Sequence, residues 1–227
     1  MGGRLTESLT DARPVERGRL ARPPLEVAPD LLGLLLVTAD GRAARLVEVE
    51  AYCGPDDPAS HAAPGPTARN RVMWGPAGHL YVYFSYGVHW CANVVCDAEG
   101  TAGAVLLRAG EPAAGLAAMR AARWRGQRQQ RDRDLCRGPG RLAQALGIGR
   151  DDYGLDLLDP AGAIRLVDDG RRYVNVVATP RIGITRAADR LARFAVADSP
   201  WVSGPAPAPA GGRAAPTPRR ARPAHRR

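Results

Sequence analysis

Glu50 stands near the end of an alternating run, Arg45–Tyr52. In that run Val47 and Val49 would point one way, and Glu48, Glu50 and Tyr52 the other. A carboxylate so placed can take a proton from a water molecule. Paired strand acids are also what a solvated sheet face looks like, so the company of Glu50 matters. His61 follows in a loop rich in Pro and Gly, CGPDDPASHAAPG (53–65). Tyr81 and Tyr83 share a face of YVYFSY (81–86), and Arg108 closes the run AVLLR (104–108). They form one site only if their strands are neighbours, which spacing alone does not prove. The plain alternatives are a surface His61 and tyrosines used for sheet packing. His89 and Cys91 share a strand face, but no second pair stands at ligand spacing, so no metal is expected. The Gly138-Pro139-Gly140 turn has amides free to meet a phosphate ahead of a short helix.

The elements that must position these residues are mostly strands. Leu25–Val37 passes from helical spacing into a strand-like LLLV, and Asp40-Gly41 marks a hairpin. Further strands are expected over His79–Tyr86, Trp90–Val95, Ala104–Ala109, Ile164–Val167, Tyr173–Ala178 and Leu191–Val196. Pro112 is expected to open a helix continued by Leu116, Met119 and Ala122. A second short helix is expected over Arg141–Leu146. With strands first, helices inserted and no βαβ rhythm, the pattern predicts a compact mixed α/β sheet rather than a doubly wound one.

The chain has 227 residues and a formal charge of +9. All 32 basic residues are Arg, which excludes a lysine Schiff base and a P-loop ending in Gly-Lys-Ser/Thr. Residues 1–24 carry five Arg and three acids, and 205–227 carry six Arg and no acid. The remainder is nearly neutral, although Arg crowds the stretch 120–141. We expect a flexible N-terminal segment over 1–24, one domain over 25–204, and a disordered basic Pro/Ala/Arg tail over 205–227. No apolar run reaches the length of a membrane span, and no secretory signal is visible. The four Cys form no Cys-x-x-Cys pair, which points to a reduced, cytoplasmic protein.

Four segments carry a resemblance: LVEVEAYCGPDDPASHA (46–62), TARNRVMWGPAGHLYVYFSYGVHWCANVV (67–95), GAVLLRAGEP (103–112) and DRDLCRGPGRLAQALGI (132–148). They strongly resemble the alkyladenine, or 3-methyladenine, DNA glycosylase family, and SPWVSG (199–204) matches its end. The resemblance covers roughly 25–204. It implies a single compact α/β domain around a curved antiparallel sheet with peripheral helices, without metal or organic cofactor. It implies hydrolysis of the N-glycosidic bond of damaged purines in double-stranded DNA: 3-methyladenine, 7-methylguanine, hypoxanthine and ethenoadenine. By the same resemblance Glu50 is the catalytic carboxylate, and Arg108 helps place the nucleophilic water. Tyr52 and Tyr83 stack on the flipped base, and His61 lines the pocket near the sugar and phosphate. Asn93 disfavours the amino group of normal guanine, and Tyr86 is wedged into the minor groove.

Catalysis of this kind starts by extruding the nucleotide. Without Lys the enzyme is expected to be monofunctional, leaving an abasic site, and to act as a monomer near the nucleoid. The chain departs from the mammalian pattern after Gly87, where Val88, His89 and Trp90 replace the expected residues. A titratable His89 is expected to strengthen a phosphate contact at lower pH; unchanged salt and pH dependence of DNA binding in H89F would rule that out. The rival reading is a non-catalytic lesion-binding DNA protein on the same fold, which the presence of both Glu50 and Arg108 disfavours. A helix-hairpin-helix glycosylase is disfavoured by the strand-rich front half.

Overall fold

The computed structural model describes residues 12–124 and 131–204. In chain order the elements are strand β1 (Arg13–Pro14), helices α1 (Arg17–Leu20) and α2 (Pro24–Leu31), and strands β2 (Leu35–Thr38) and β3 (Ala43–Tyr52). Next come β4 (Leu80–Ser85), β5 (His89–Val95), β6 (Ala104–Ala114), α3 (Leu116–Arg123) and α4 (Pro139–Leu146). Strands β7 (Ile164–Asp168), β8 (Val176–Pro180) and β9 (Leu191–Val196) complete the set. All strand pairings are antiparallel, in the order β1-β7-β2-β3-β6-β5-β4, with β9 joining β3 and β8. This is the single mixed α/β domain on a curled antiparallel sheet that the resemblance implied.

Strand β3 organises the molecule. Along one edge it pairs with β6 from end to end. Its other edge is shared, with β2 taking Ala43–Arg45 and β9 taking Glu48–Glu50. Hence β3 is central and buried on both faces, including its two acids. A bulge lies between Leu46 and Glu48, opposite Gly110 and Ala109. Bulges re-aim side chains and are common beside active sites. Leu46, Val49, Leu107, Met119, Leu142 and Ala195 meet in the main apolar core, over which α2 and α4 pack.

Two sequence-based boundaries move. Pro112 does not open a helix. It lies inside β6 opposite Ala44, and the register shift there leaves Ala113 as the extra residue of a bulge. A bulge accommodates a residue with no N–H to give to the ladder, and α3 starts only after Gly115, which turns the chain at φ 71°. The strand expected over Tyr173–Ala178 runs over Val176–Pro180 instead. The folded residues also begin ahead of Leu25. Arg13 and Pro14 pair with β7, and Val15 and Leu20 are buried in the main core. Arg17 and Arg19 add ion pairs to Asp156 and Asp168, and charge counting sees none of this. The expected tail 205–227, residues 1–11 and residues 125–130 of the basic stretch lie outside the described residues.

Candidate active site

A cavity of about 770 Å³ opens where β3, β4, β5 and β6 face the loops 53–61 and 181–186. Glu50, Arg108 and Leu106 line its buried end. Tyr52, His61 and Tyr83 form its walls, while Tyr86, His89 and residues 182–186 reach its mouth. The strands are therefore neighbours. Glu50 sits directly opposite Leu106 on β6, and Tyr83 opposite Cys91 on β5.

Both Glu48 and Glu50 have no exposed surface, so the solvated-face alternative does not hold. Arg108 joins them. Its Nη1 lies 3.1 Å from Glu50 Oε1, and its Nε donates to Glu48 Oε1 at 2.9 Å. Burial works against the charge of Arg108, but Glu50 and then Glu48 outweigh it and raise its pKa. Glu48 also accepts from Arg193 Nε at 2.7 Å, from the Ser203 amide and from the Ser203 hydroxyl. Thus Glu48 and Ser203 hold Arg108 from behind and leave Nη1 for Glu50. Glu50 receives two more hydrogen bonds, from the Ile182 amide to Oε1 at 2.8 Å and from the Tyr52 hydroxyl to Oε2 at 3.0 Å. Burial first, and then the Glu50 charge, raises the Tyr52 pKa far above the usual tyrosine range. The phenol therefore remains a donor.

The aromatic walls are tied to one another. His61 Nδ1 meets the Tyr81 hydroxyl at 2.9 Å, and its ring stands edge-on to Tyr83 at 4.5 Å. Tyr81 and Tyr83 lie 5.6 Å apart, and Arg69 covers Tyr83 at 5.5 Å. The surrounding walls, and then the charge of Arg69, lower the His61 pKa below its usual value of 6.5. The imidazole is thus held neutral. Because the unfolded chain protonates first, His61 should cost stability as pH falls below about 6.5. An NMR titration of the His61 ring is expected to give a midpoint below that of an unperturbed histidine. A midpoint at or above it would contradict the shielding by the walls, since the residue itself keeps exposed surface.

Tyr86 lies at the tip of the β4–β5 hairpin. It is 85% exposed, and at φ 49° it occupies left-handed backbone that non-glycine residues adopt rarely. Val88 beside it is 72% exposed. The half-buried His89 closes against α4, where a Cβ on Gly140 would collide with the imidazole. The Gly-Pro-Gly turn therefore serves close packing of the hairpin. Asn93 is buried opposite Leu106 and gives its amide to the Tyr81 carbonyl at 3.0 Å. It supports the wall from beside Leu106, which lines the cavity.

A family model described as methylpurine-DNA glycosylase matches residues 19–200. This chain belongs to the methylpurine-DNA glycosylase family. As a member it is a DNA glycosylase, a hydrolase of N-glycosyl bonds. A Burkholderia lata protein is 52% identical over 185 residues, covering 81% of this chain and 88% of the relative. One from Koribacter versatilis is 49% identical, covering 87% and 96%. One from Nocardia farcinica is 50% identical, covering 79% and 86%. Each of the three bears the name "Putative 3-methyladenine DNA glycosylase". No helix among the described residues is long and apolar enough to cross a membrane.

Sequence reasoning placed Glu50, Tyr52, His61, Tyr83, Tyr86 and Arg108 in this family's site, and the fold brings all six to one cavity. It missed the groups behind them. Arg193 and Ser203 complete the carboxylate cluster, and Arg181, Asp57 and the Ile182 amide brace Tyr52 and Glu50. A main-chain donor has no residue-type signature, and an Arg in an Arg-rich chain does not stand out. The only available signal was SPWVSG, which contains Ser203 and attracted notice only through resemblance.

Proposed function

We propose that this cavity receives a damaged purine flipped out of duplex DNA, and that the enzyme is monofunctional and leaves an abasic site. One observation carries the reading: a fully buried carboxylate, Glu50, held by Arg108 at the end of a cavity walled by tyrosine rings. In the reaction the oxygen of a water bonds to the sugar C1′ as the C1′–N9 bond breaks. The bonding pair leaves with the purine, and Glu50 takes the water's proton. The Glu50 charge also favours the developing sugar cation.

Extrusion costs a few kcal/mol, and stacking on Tyr52 and Tyr83 returns about 1–3 kcal/mol per base. Tyr86, exposed on its hairpin, fills the gap in the duplex. Bases made cationic by N3 or N7 methylation gain a further ~0.5–2 kcal/mol against aromatic faces. Neutral substrates such as hypoxanthine depend on pocket shape instead. Asn93, beside the lining residue Leu106, would disfavour the amino group of normal guanine.

The test is base release from duplexes carrying hypoxanthine, ethenoadenine or 7-methylguanine, with alkylated DNA rich in 3-methyladenine alongside. Abasic sites should form without strand cleavage. Because the chain contains no Lys, borohydride should trap no covalent protein–DNA adduct. Trapping would overturn the monofunctional reading, and tight lesion binding without release would favour the lesion-binding rival.

A further inference from the structure

Arg181 lies outside the cavity, yet it touches β3, the Tyr52 ring and the loop carrying Asp57. Its side chain is fully buried. Nη1 and Nη2 both meet the Asp57 carboxylate, the second at 2.9 Å, and Nη1 also donates to the Ala51 carbonyl of β3. The guanidinium lies 4.7 Å from the centre of the Tyr52 ring. The next residue in the chain is Ile182, whose amide donates to Glu50. Asp57 in turn accepts the amides of Cys53 and Ala59, which shapes the loop leading to His61. Arg181 Nε is buried without a hydrogen-bond partner. A buried ion pair with an unmet donor is a poor stabiliser. What it does provide is fixed geometry.

Resting on the glycosylase reading above, we propose that Arg181 and Asp57 are a positioning pair. They clip the His61 loop to the Ile182 loop across the back of Tyr52, and so aim the Ile182 amide at Glu50 Oε1. With Oε1 committed to Arg108 and Ile182, Oε2 is the oxygen that meets the water, once the Tyr52 hydroxyl gives way to it. Neither residue touches substrate.

The charged and titratable groups that face Glu50 are Arg108 from β6, Tyr52 from its own strand, Cys91 from β5 and Arg181 itself. Replacing Arg181 by Met removes a cation, frees the amide and leaves Asp57 with only the 4.0 Å contact to Arg190. With the amide no longer aimed at Oε1, base release should slow while the pocket itself stays formed. The double variant D57N/R181M carries no unpaired buried charge, which protects folding and cancels the simple charge effect.

The test is single-turnover release of hypoxanthine across pH, with affinity for a duplex bearing a tetrahydrofuran abasic analogue as the control for an intact pocket. Both variants should release base at least about tenfold more slowly at the plateau while binding the analogue within about twofold. In the double variant the slow plateau should persist, because the amide is still not aimed. A double variant with the wild-type plateau would overturn the proposal. If wild type itself releases no base, the glycosylase reading fails first, and the two failures are distinguishable.

Discussion

Replacing Glu50 by Gln should slow base release by about 10²–10⁴-fold, the usual contribution of a positioned general base. Affinity for the lesion duplex should be kept. Gln is nearly isosteric, and its carbonyl oxygen can still accept from Arg108 or the Ile182 amide. What is lost is the capacity to take a proton and to offset positive charge at the sugar. Arg108 remains paired with Glu48 in the variant, so the cavity should not collapse. Single-turnover excision and equilibrium binding on the same hypoxanthine duplex decide the matter. Equal loss of both would mean that Glu50 supports structure, and full retention of excision would move the base elsewhere.

Glu48 should behave in the opposite way. Its carboxylate accepts from Arg108, Arg193 and Ser203 with no exposed surface. Glu48→Ala leaves two buried guanidinium groups short of an anion. Breaking a buried pair by removing one partner costs about 3–5 kcal/mol, because the charge left behind is uncompensated. Denaturant unfolding of wild type and variant measures this directly. A loss below about 1 kcal/mol, typical of an exposed pair, would contradict the burial. Activity should fall as well, since Arg108 loses the contact at Nε that sets its direction. Glu48→Gln should be milder in stability, because it keeps an acceptor in place.

Much of this centre was readable before any coordinates. The alternation around Glu50 gave a strand, and the aromatic β-branched run 79–86 gave another. What stayed hidden follows from physics that sequence expresses poorly. On pattern alone Glu48 and Glu50 match a solvated pair, because the groups that cover them, Arg108, Arg193, Ser203 and the Ile182 amide, come from distant segments. Pro112 read as a helix opener, because the bulge that tolerates it depends on the register against Ala44. The hydrogen bond from Asn93 to the Tyr81 carbonyl, which ties β5 to β4 behind the aromatic wall, has no mark in the sequence. The amide of Ile182 could not be read at all, since every residue except Pro carries one.

The carboxylate cluster also constrains how the molecule comes into being. Glu48 leaves the ribosome early, yet Arg193 is 145 residues further along and Ser203 is 155. Contacts of such separation form late, after the loop entropy between them has been overcome. A nascent chain that has made β3 through β6 therefore holds two acids against one arginine, and Arg108 lacks its full set of supports. The centre becomes competent only when the final strand and the SPWVSG segment dock.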